Sequence, residues 1–197
     1  MNKKSILLIG IALLILCLIS IFNLNKNNTL ENELSVLTSD SFKIIAEDKT
    51  DKGTLFFAYN ENEDVLRTSF IGKNLFGYKT LYSSVGTDIT KASESLGLTY
   101  HYFLPIKQSS LPLYFGVIGN DEVKEVKIKE STNESGWKSA KIIKADNKRI
   151  WLLYMNGFTG STFDIFGVSE DGKDLVNIYD NFSPWTADQK PVRSPYK

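Results

Sequence analysis

Catalysis needs side chains that take or give protons, attack carbon or hold a metal, and this chain has few of them in useful company. Its one histidine, His101, lies in Tyr100-His101-Tyr102-Phe103, and its one cysteine, Cys17, lies in an apolar run near the N-terminus. Serine–histidine and cysteine–histidine pairs need a base beside the attacking atom. Here His101 would have to serve alone, and its aromatic neighbours point to packing. Zinc takes several Cys or His ligands, more than the chain can offer. Calcium needs only oxygens, so Asn60-Glu61-Asn62-Glu63-Asp64 is the run to test. Its sixth position is Val65, where an EF-hand loop needs Gly, and its twelfth is Ile71, where the loop needs Glu. A polar turn explains it better, because Asn and Asp bond locally to their own backbone.

Other apparent motifs fail on context. Ser135-Gly136-Trp137-Lys138 reads as S-x-x-K, but that chemistry needs the serine to open a helix. Here it falls in a Ser/Asn/Gly-rich loop. Gly157-Phe158-Thr159-Gly160 has neither the lysine nor the helix of a phosphate loop. Asp171, Asp174 and Asp180 are close in sequence, but the first two flank a turn. The sequence therefore assigns no catalytic, cofactor-binding or metal residue. A carboxylate pair for glycoside cleavage stays open, since 23 acidic residues offer many pairs at a suitable separation. Asp164, between Phe163 and Ile165, is the acid to inspect. On a strand it either faces outward by alternation, which is the expectation, or is a perturbed carboxylate among apolar neighbours.

Charge narrows the partners. The chain has 23 Lys+Arg against 23 Asp+Glu, and nucleic-acid binding calls for a concentrated basic face. Lys124, Lys127 and Lys129 alternate with Glu122, Glu125 and Glu130, which reads as a solvated strand face. No nucleic-acid partner is expected. With 42% hydrophobic and 12% aromatic residues, the chain has enough apolar surface for a folded core.

The elements that would position these residues are mostly strands. From Phe42 onward, short runs rich in Ile, Val, Phe and Tyr recur between turn residues. Phe42–Glu47 and Thr54–Tyr59 flank Asp51-Lys52-Gly53. The polar run Asn60–Asp64 leads into Val65–Ile71, and Phe76–Ser83 follows. Leu113–Ile118 is apolar on both parities, as a central strand would be, and Val123–Lys129 alternates like a half-buried strand. Ser139–Ala145 and Lys148–Met155 flank Asp146-Asn147. Thr162–Val168 and Asp174–Tyr179 flank Asp171-Gly172, a two-residue type I′ hairpin signal. One helix is expected near Asp88–Leu96, capped by Asp88 or Thr90 and stopped by Gly97. The class is all-β: an antiparallel meander forming a sandwich or partly open barrel, over residues 41–183. Pro184, Pro191 and Pro195 mark residues 184–197 as an irregular tail, with Phe182 and Trp185 pinning its first part.

Residues 1–22 are expected to be a transmembrane signal anchor. Ser5–Phe22 contains no charge and as a helix spans about 27 Å, close to a hydrocarbon core of about 30 Å. A cleaved signal has a shorter apolar stretch and a small-x-small exit, but Leu18 lies two residues before Ser20. A lipoprotein signal would end at Cys17, but Leu16 precedes it where a small residue is required. Lys3 and Lys4 favour a cytoplasmic N-terminus and an extracellular domain, single-pass in the cell membrane. Residues 23–40 form a polar spacer and a short amphipathic helix. Asn28-Thr29-Leu30-Glu31 resembles a capping box, and Leu30, Leu34 and Leu37 form a stripe expected to pack on the domain.

The stretches KTDKGTLFFAYN, LPLYFGVIGNDEVKEVKI and FDIFGVSEDGKDL resemble those of small, signal-anchored extracytoplasmic proteins of Bacillus-type Gram-positive bacteria. The resemblance implies location and fold, and it assigns no site residue. The functional expectation is a membrane-anchored binding or accessory module for a protein or cell-envelope partner, without a cofactor. The rival is a cell-wall or glycan hydrolase using two carboxylates.

Overall fold

Strands form where β-branched and aromatic residues alternate or run together, and the chain reverses where Gly, Asn and Asp relieve the backbone. The computed structural model describes residues 3–38, 41–88, 95–103, 112–132, 136–158 and 160–181. It is mainly β, and its strands divide between two compact units. The first is Met1–Asn62 with Arg67–Val85, and the second Glu63–Leu66 with Gly86–Lys197.

The first unit holds helix α1 (Lys3–Asn27) and helix α2 (Leu30–Leu37). It also holds β1 (Lys43–Lys49), β2 (Gly53–Asn60) and most of β3 (Val65–Asn74) and β4 (Gly77–Asp88). These strands form the expected meander, ordered β1-β2-β3-β4. Leu55, Phe56, Phe57 and Ala58 are all buried, so β2 is covered on both faces. α2 begins at Thr29, whose side chain accepts the Asn32 amide. The reciprocal half of a capping box is absent, because its third helical position is Asn32 and the nearby Glu33 instead accepts the Thr80 amide at 2.7 Å. The Asn28 carbonyl accepts Tyr78 N–H at 2.7 Å and its side-chain amide donates to the Phe76 carbonyl at 3.1 Å. α2 therefore runs beside β4. Leu37 is buried and Leu30 and Leu34 are half-buried, so the stripe packs on the sheet as expected.

Among the described residues no helix is long and apolar enough to cross a membrane. The N-terminal transmembrane helix expected over residues 1–22 is thus not supported here; only the helix itself is.

The second unit is built from hairpins dealt alternately to two antiparallel sheets. β5 (His101–Phe103) and β6 (Leu113–Val117) join β9 (Lys141–Ala145) and β10 (Lys148–Tyr154) in the order β5-β6-β10-β9. β7 (Glu125–Glu130) and β8 (Lys138–Ser139) join β11 (Thr162–Val168) and β12 (Asp174–Asn181) in the order β12-β11-β7-β8. One core holds the sheets face to face, including Tyr114 and Trp151 from one and Val126, Ile128, Phe163 and Ile165 from the other. The sandwich expectation holds in this unit, but the meander does not. The central pairs β6·β10 and β7·β11 join strands that are not sequence neighbours.

One turn departs from the sequence reading. The β11–β12 connection is not a two-residue type I′ turn. Ser169 to Lys173 form a longer loop in which Gly172 N–H donates to the Ser169 carbonyl at 3.0 Å and only Gly172, at φ +83°, is left-handed. The Ser169 hydroxyl accepts Lys173 N–H at 3.0 Å and donates to the Asp171 carboxylate, closing the loop from within. The helix expected at Asp88–Leu96 falls largely outside the described residues: Asp88 ends β4, Ser95 and Leu96 are helical, and Gly97 follows at φ +70°. The tail at 184–197, with Phe182 and Trp185, also lies outside them.

Candidate functional site

The residues singled out by sequence do not converge. His101 is on the short edge strand β5, opposite Phe115 of β6 with ring centroids 5.5 Å apart, and burial holds its pKa below the usual histidine value. Asn60–Asp64 is the polar turn: the Asn60 side chain accepts the Asn62 amide, and Asp64 takes φ +53°. Lys138 lies over the Phe158 ring and donates to the Asn156 carbonyl at 3.1 Å, while Ser135 is outside the described residues. Thr159 is likewise outside them, and Phe158 is buried in the core. Asp164 lies on the outer face of β11, between Lys129 of β7 and Tyr179 of β12, as strand alternation requires.

Asp121, Glu122, Glu170 and Asp171 line one shallow cavity of about 680 Å³. A glycosidase needs an acid that keeps its proton near neutrality. Asp171 is moved the other way: the Ser169 hydroxyl holds its carboxyl below the usual range. Glu125 is lowered too, by the Ser139 hydroxyl and then Lys127. Among the described residues no cluster of three or more His, Cys, Asp or Glu is placed to hold a metal.

A second cavity, of about 310 Å³, lies between α2 and the β3–β4 hairpin, within the size range of small-ligand sites. Its wall is unusual for a sheet face beside a core. Arg67 and Ser69 enter it from β3, Thr80, Ser83 and Ser84 from β4, and Glu33 from α2. The Ser69 hydroxyl donates to the Ser83 hydroxyl at 2.9 Å. Ser84 bonds both backbone groups of Thr68, accepting its N–H at 3.2 Å and donating to its carbonyl at 3.4 Å. The Arg67 guanidinium stacks on the Phe42 ring at 3.8 Å, and among the described residues no carboxylate pairs with it. Hydroxyls that both give and accept hydrogen bonds, beside a half-buried cation held flat by an aromatic ring, suit a hydroxylated ligand with an anionic group. The sequence signal was present as Arg67, Ser69, Ser83 and Ser84, polar residues inside strands otherwise headed for the core.

A third constellation is structural. Asp180 turns inward from β12 to meet Tyr114 of β6 and Tyr100. Tyr114 donates a short hydrogen bond to its carboxylate, and Tyr100 a longer one at 3.5 Å. Tyr102 packs against Tyr114 with tilted rings, their centroids 4.8 Å apart. Burial first, and then the nearby carboxylate, push the Tyr100 and Tyr102 phenols up, and the Tyr114 phenol is pushed up by burial and its bond to Asp180. These contacts clasp the last strand to the opposite sheet.

The fold thus defines a mainly β protein of two units, one a sandwich and one a helix-flanked meander bearing a polar groove. No protein-family model matches the chain, and neither a curated protein nor a solved structure matches it.

Proposed function

We propose that this chain is a membrane-anchored binding module displayed outside the cytoplasm, and that the α2–hairpin groove takes an anionic glycan of the cell envelope. The observation that carries the ligand is Arg67, a cation stacked on Phe42 with no carboxylate partner among the described residues, lining one cavity with the hydroxyls of Ser69, Thr80, Ser83 and Ser84. Guanidinium groups held in plane recognise carboxylate and phosphate with geometric selectivity. The anchor is supported by the uncharged run Ser5–Phe22 and by Lys3 and Lys4 ahead of it. Leu13, Leu14, Ile15 and Leu16 are all exposed on α1; four successive helical positions cover every side, so the helix is apolar all round.

Titration of the full chain in nanodiscs with defined wall glycans, by calorimetry, tests the reading. Fragments bearing carboxylate or phosphate should bind, their neutral counterparts should bind more weakly, and Arg67→Gln should remove the difference. Equal binding of charged and neutral fragments, or an Arg67→Gln protein that still discriminates, would refute it.

A further inference from the structure

We infer that the tip of the β3–β4 hairpin, Leu75-Phe76, enters the headgroup layer of the membrane beside α1 and fixes the first unit against an anionic lipid surface. The inference rests on the reading of α1 as the anchor. At the tip Leu75 is 85% exposed and Phe76 47% exposed, two large apolar residues side by side at a turn. A hairpin tip is usually polar, so this pair needs a nonpolar or interfacial neighbour.

Its position supplies that neighbour. α1 ends at Asn27, and the next residue, Asn28, is tied to the tip by both hydrogen bonds to Phe76 and Tyr78. The tip is therefore held at the exit of the apolar helix. From Phe22, the last apolar residue of the run, to Asn28 is about 9 Å along a helix. The headgroup layer beyond the hydrocarbon is about 5–8 Å thick on each side. Asn28 thus falls just beyond that layer, and a tip bonded to it is within side-chain reach of the depth where interfacial apolar groups sit.

Charge agrees. Residues 65–87 contain Arg67, Lys73 and Lys79 and no Asp or Glu, in a chain whose 23 basic and 23 acidic residues balance as a whole. Lys73 and Lys79 are exposed on either side of the tip. The Lys73 ammonium lies 5.4 Å from the Tyr78 ring centroid, and a tyrosine with a lysine beside an apolar pair is a combination favoured at membrane interfaces. Basic residues at this level are drawn to anionic headgroups.

The test uses the full chain carrying Cys17→Ser, reconstituted in phosphatidylcholine vesicles with or without phosphatidylglycerol. A single Leu75→Cys carries an environment-sensitive dye; Glu61→Cys, in the turn at the other end of β3, is the reference. The Leu75 label should be blue-shifted and quenched by lipids carrying a quencher at headgroup depth. The effect should grow with phosphatidylglycerol and weaken in Lys73→Glu/Lys79→Glu, and the Glu61 label should show none of it. A Leu75 label as wet as the Glu61 label, in a chain that resists alkaline extraction, overturns this inference and leaves the anchor standing. A chain extracted by alkali overturns both. A blue shift that depends on protein density and not on lipid charge would place a second copy on the tip, and would also overturn it.

Discussion

Gly116→Ala should be among the most damaging single methyl additions in this protein. Gly116 is central in β6, opposite Trp151 of β10. A Cβ built there would sit 2.6 Å from the Thr99 carbonyl carbon and 2.8 Å from Trp151 Nε1, and closer still to the Thr99 oxygen. The offended atoms are backbone and a fully buried indole, so no flexible side chain can swing away. The Thr99 oxygen accepts the indole N–H at 2.9 Å. The same residue is held by two more bonds, Thr99 N–H to the Val117 carbonyl and Val117 N–H to the Thr99 hydroxyl, each 2.9 Å. Making room means moving the segment at Thr99 off the sheet. Overpacking alone costs about 1–3 kcal/mol, and stranding the buried indole N–H adds about 1–3 kcal/mol. A loss of roughly 2–6 kcal/mol follows. All three tryptophans, Trp137, Trp151 and Trp185, lie beyond residue 86, so tryptophan emission during urea unfolding of the detergent-solubilised chain reports the second unit. Gly10→Ala is the control: nothing lies within 4 Å of a Cβ there, and a helix gains slightly from Ala. If Gly116→Ala unfolded within about half a kcal/mol of the unmodified chain, a surface-like effect, the close approach of Thr99 to β6 would be wrong.

Three further outcomes follow from the same contacts. Gly172→Val should destabilise the second unit by about 1–3 kcal/mol through its left-handed backbone alone, since nothing crowds a Cβ there; Gly172→Asn should cost clearly less, and equal urea midpoints for the two would remove the turn. The Tyr100, Tyr102 and Tyr114 phenols are all raised in the fold. The unfolded chain therefore releases these protons first, and stability should fall as pH climbs above about 10. Tyr114→Phe should flatten that fall in urea midpoints measured across the alkaline range, and an unchanged slope would detach the phenol from the effect. For His101 the shift is downward, so on acidification the unfolded chain protonates first. Stability should drop as pH falls below about 6.5 and level off once the folded histidine is also protonated. His101→Gln should erase that step and leave the carboxylate region at lower pH intact.

How much of this was legible in the sequence depends on the range of the interaction. Local patterns were readable: Val126 and Ile128 are fully buried while Lys127 and Lys129 face out, and Asp146-Asn147 does join β9 to β10. Pairings between strands distant in sequence, such as β6 with β10, depend on surfaces that meet only after folding, so the apparent meander beyond residue 100 became two sheets. The loop at Asp171-Gly172 misled because its geometry is set by the Ser169 side chain, and no dipeptide rule includes that. Asp180 shows the limit most clearly. Counting by twos from Asp174, which faces solvent, puts Asp180 on the same outer face. The pairing, however, jumps from Val168↔Asp174 to Gly167↔Val176, which leaves Leu175 as an extra residue. A bulge of one residue inverts every later side chain. Val176, Ile178 and Asp180 therefore turn inward while Asn177 and Tyr179 turn out. Two aspartates six positions apart thus face opposite ways, Asp174 toward solvent and Asp180 bonded to Tyr114 across the core. Deleting Leu175 would leave the two aspartates an odd number of positions apart, so plain alternation would itself turn Asp180 inward; the tyrosine clasp should survive that deletion, because the pairing of Asp180 with Phe163 is kept and only the bulge is lost.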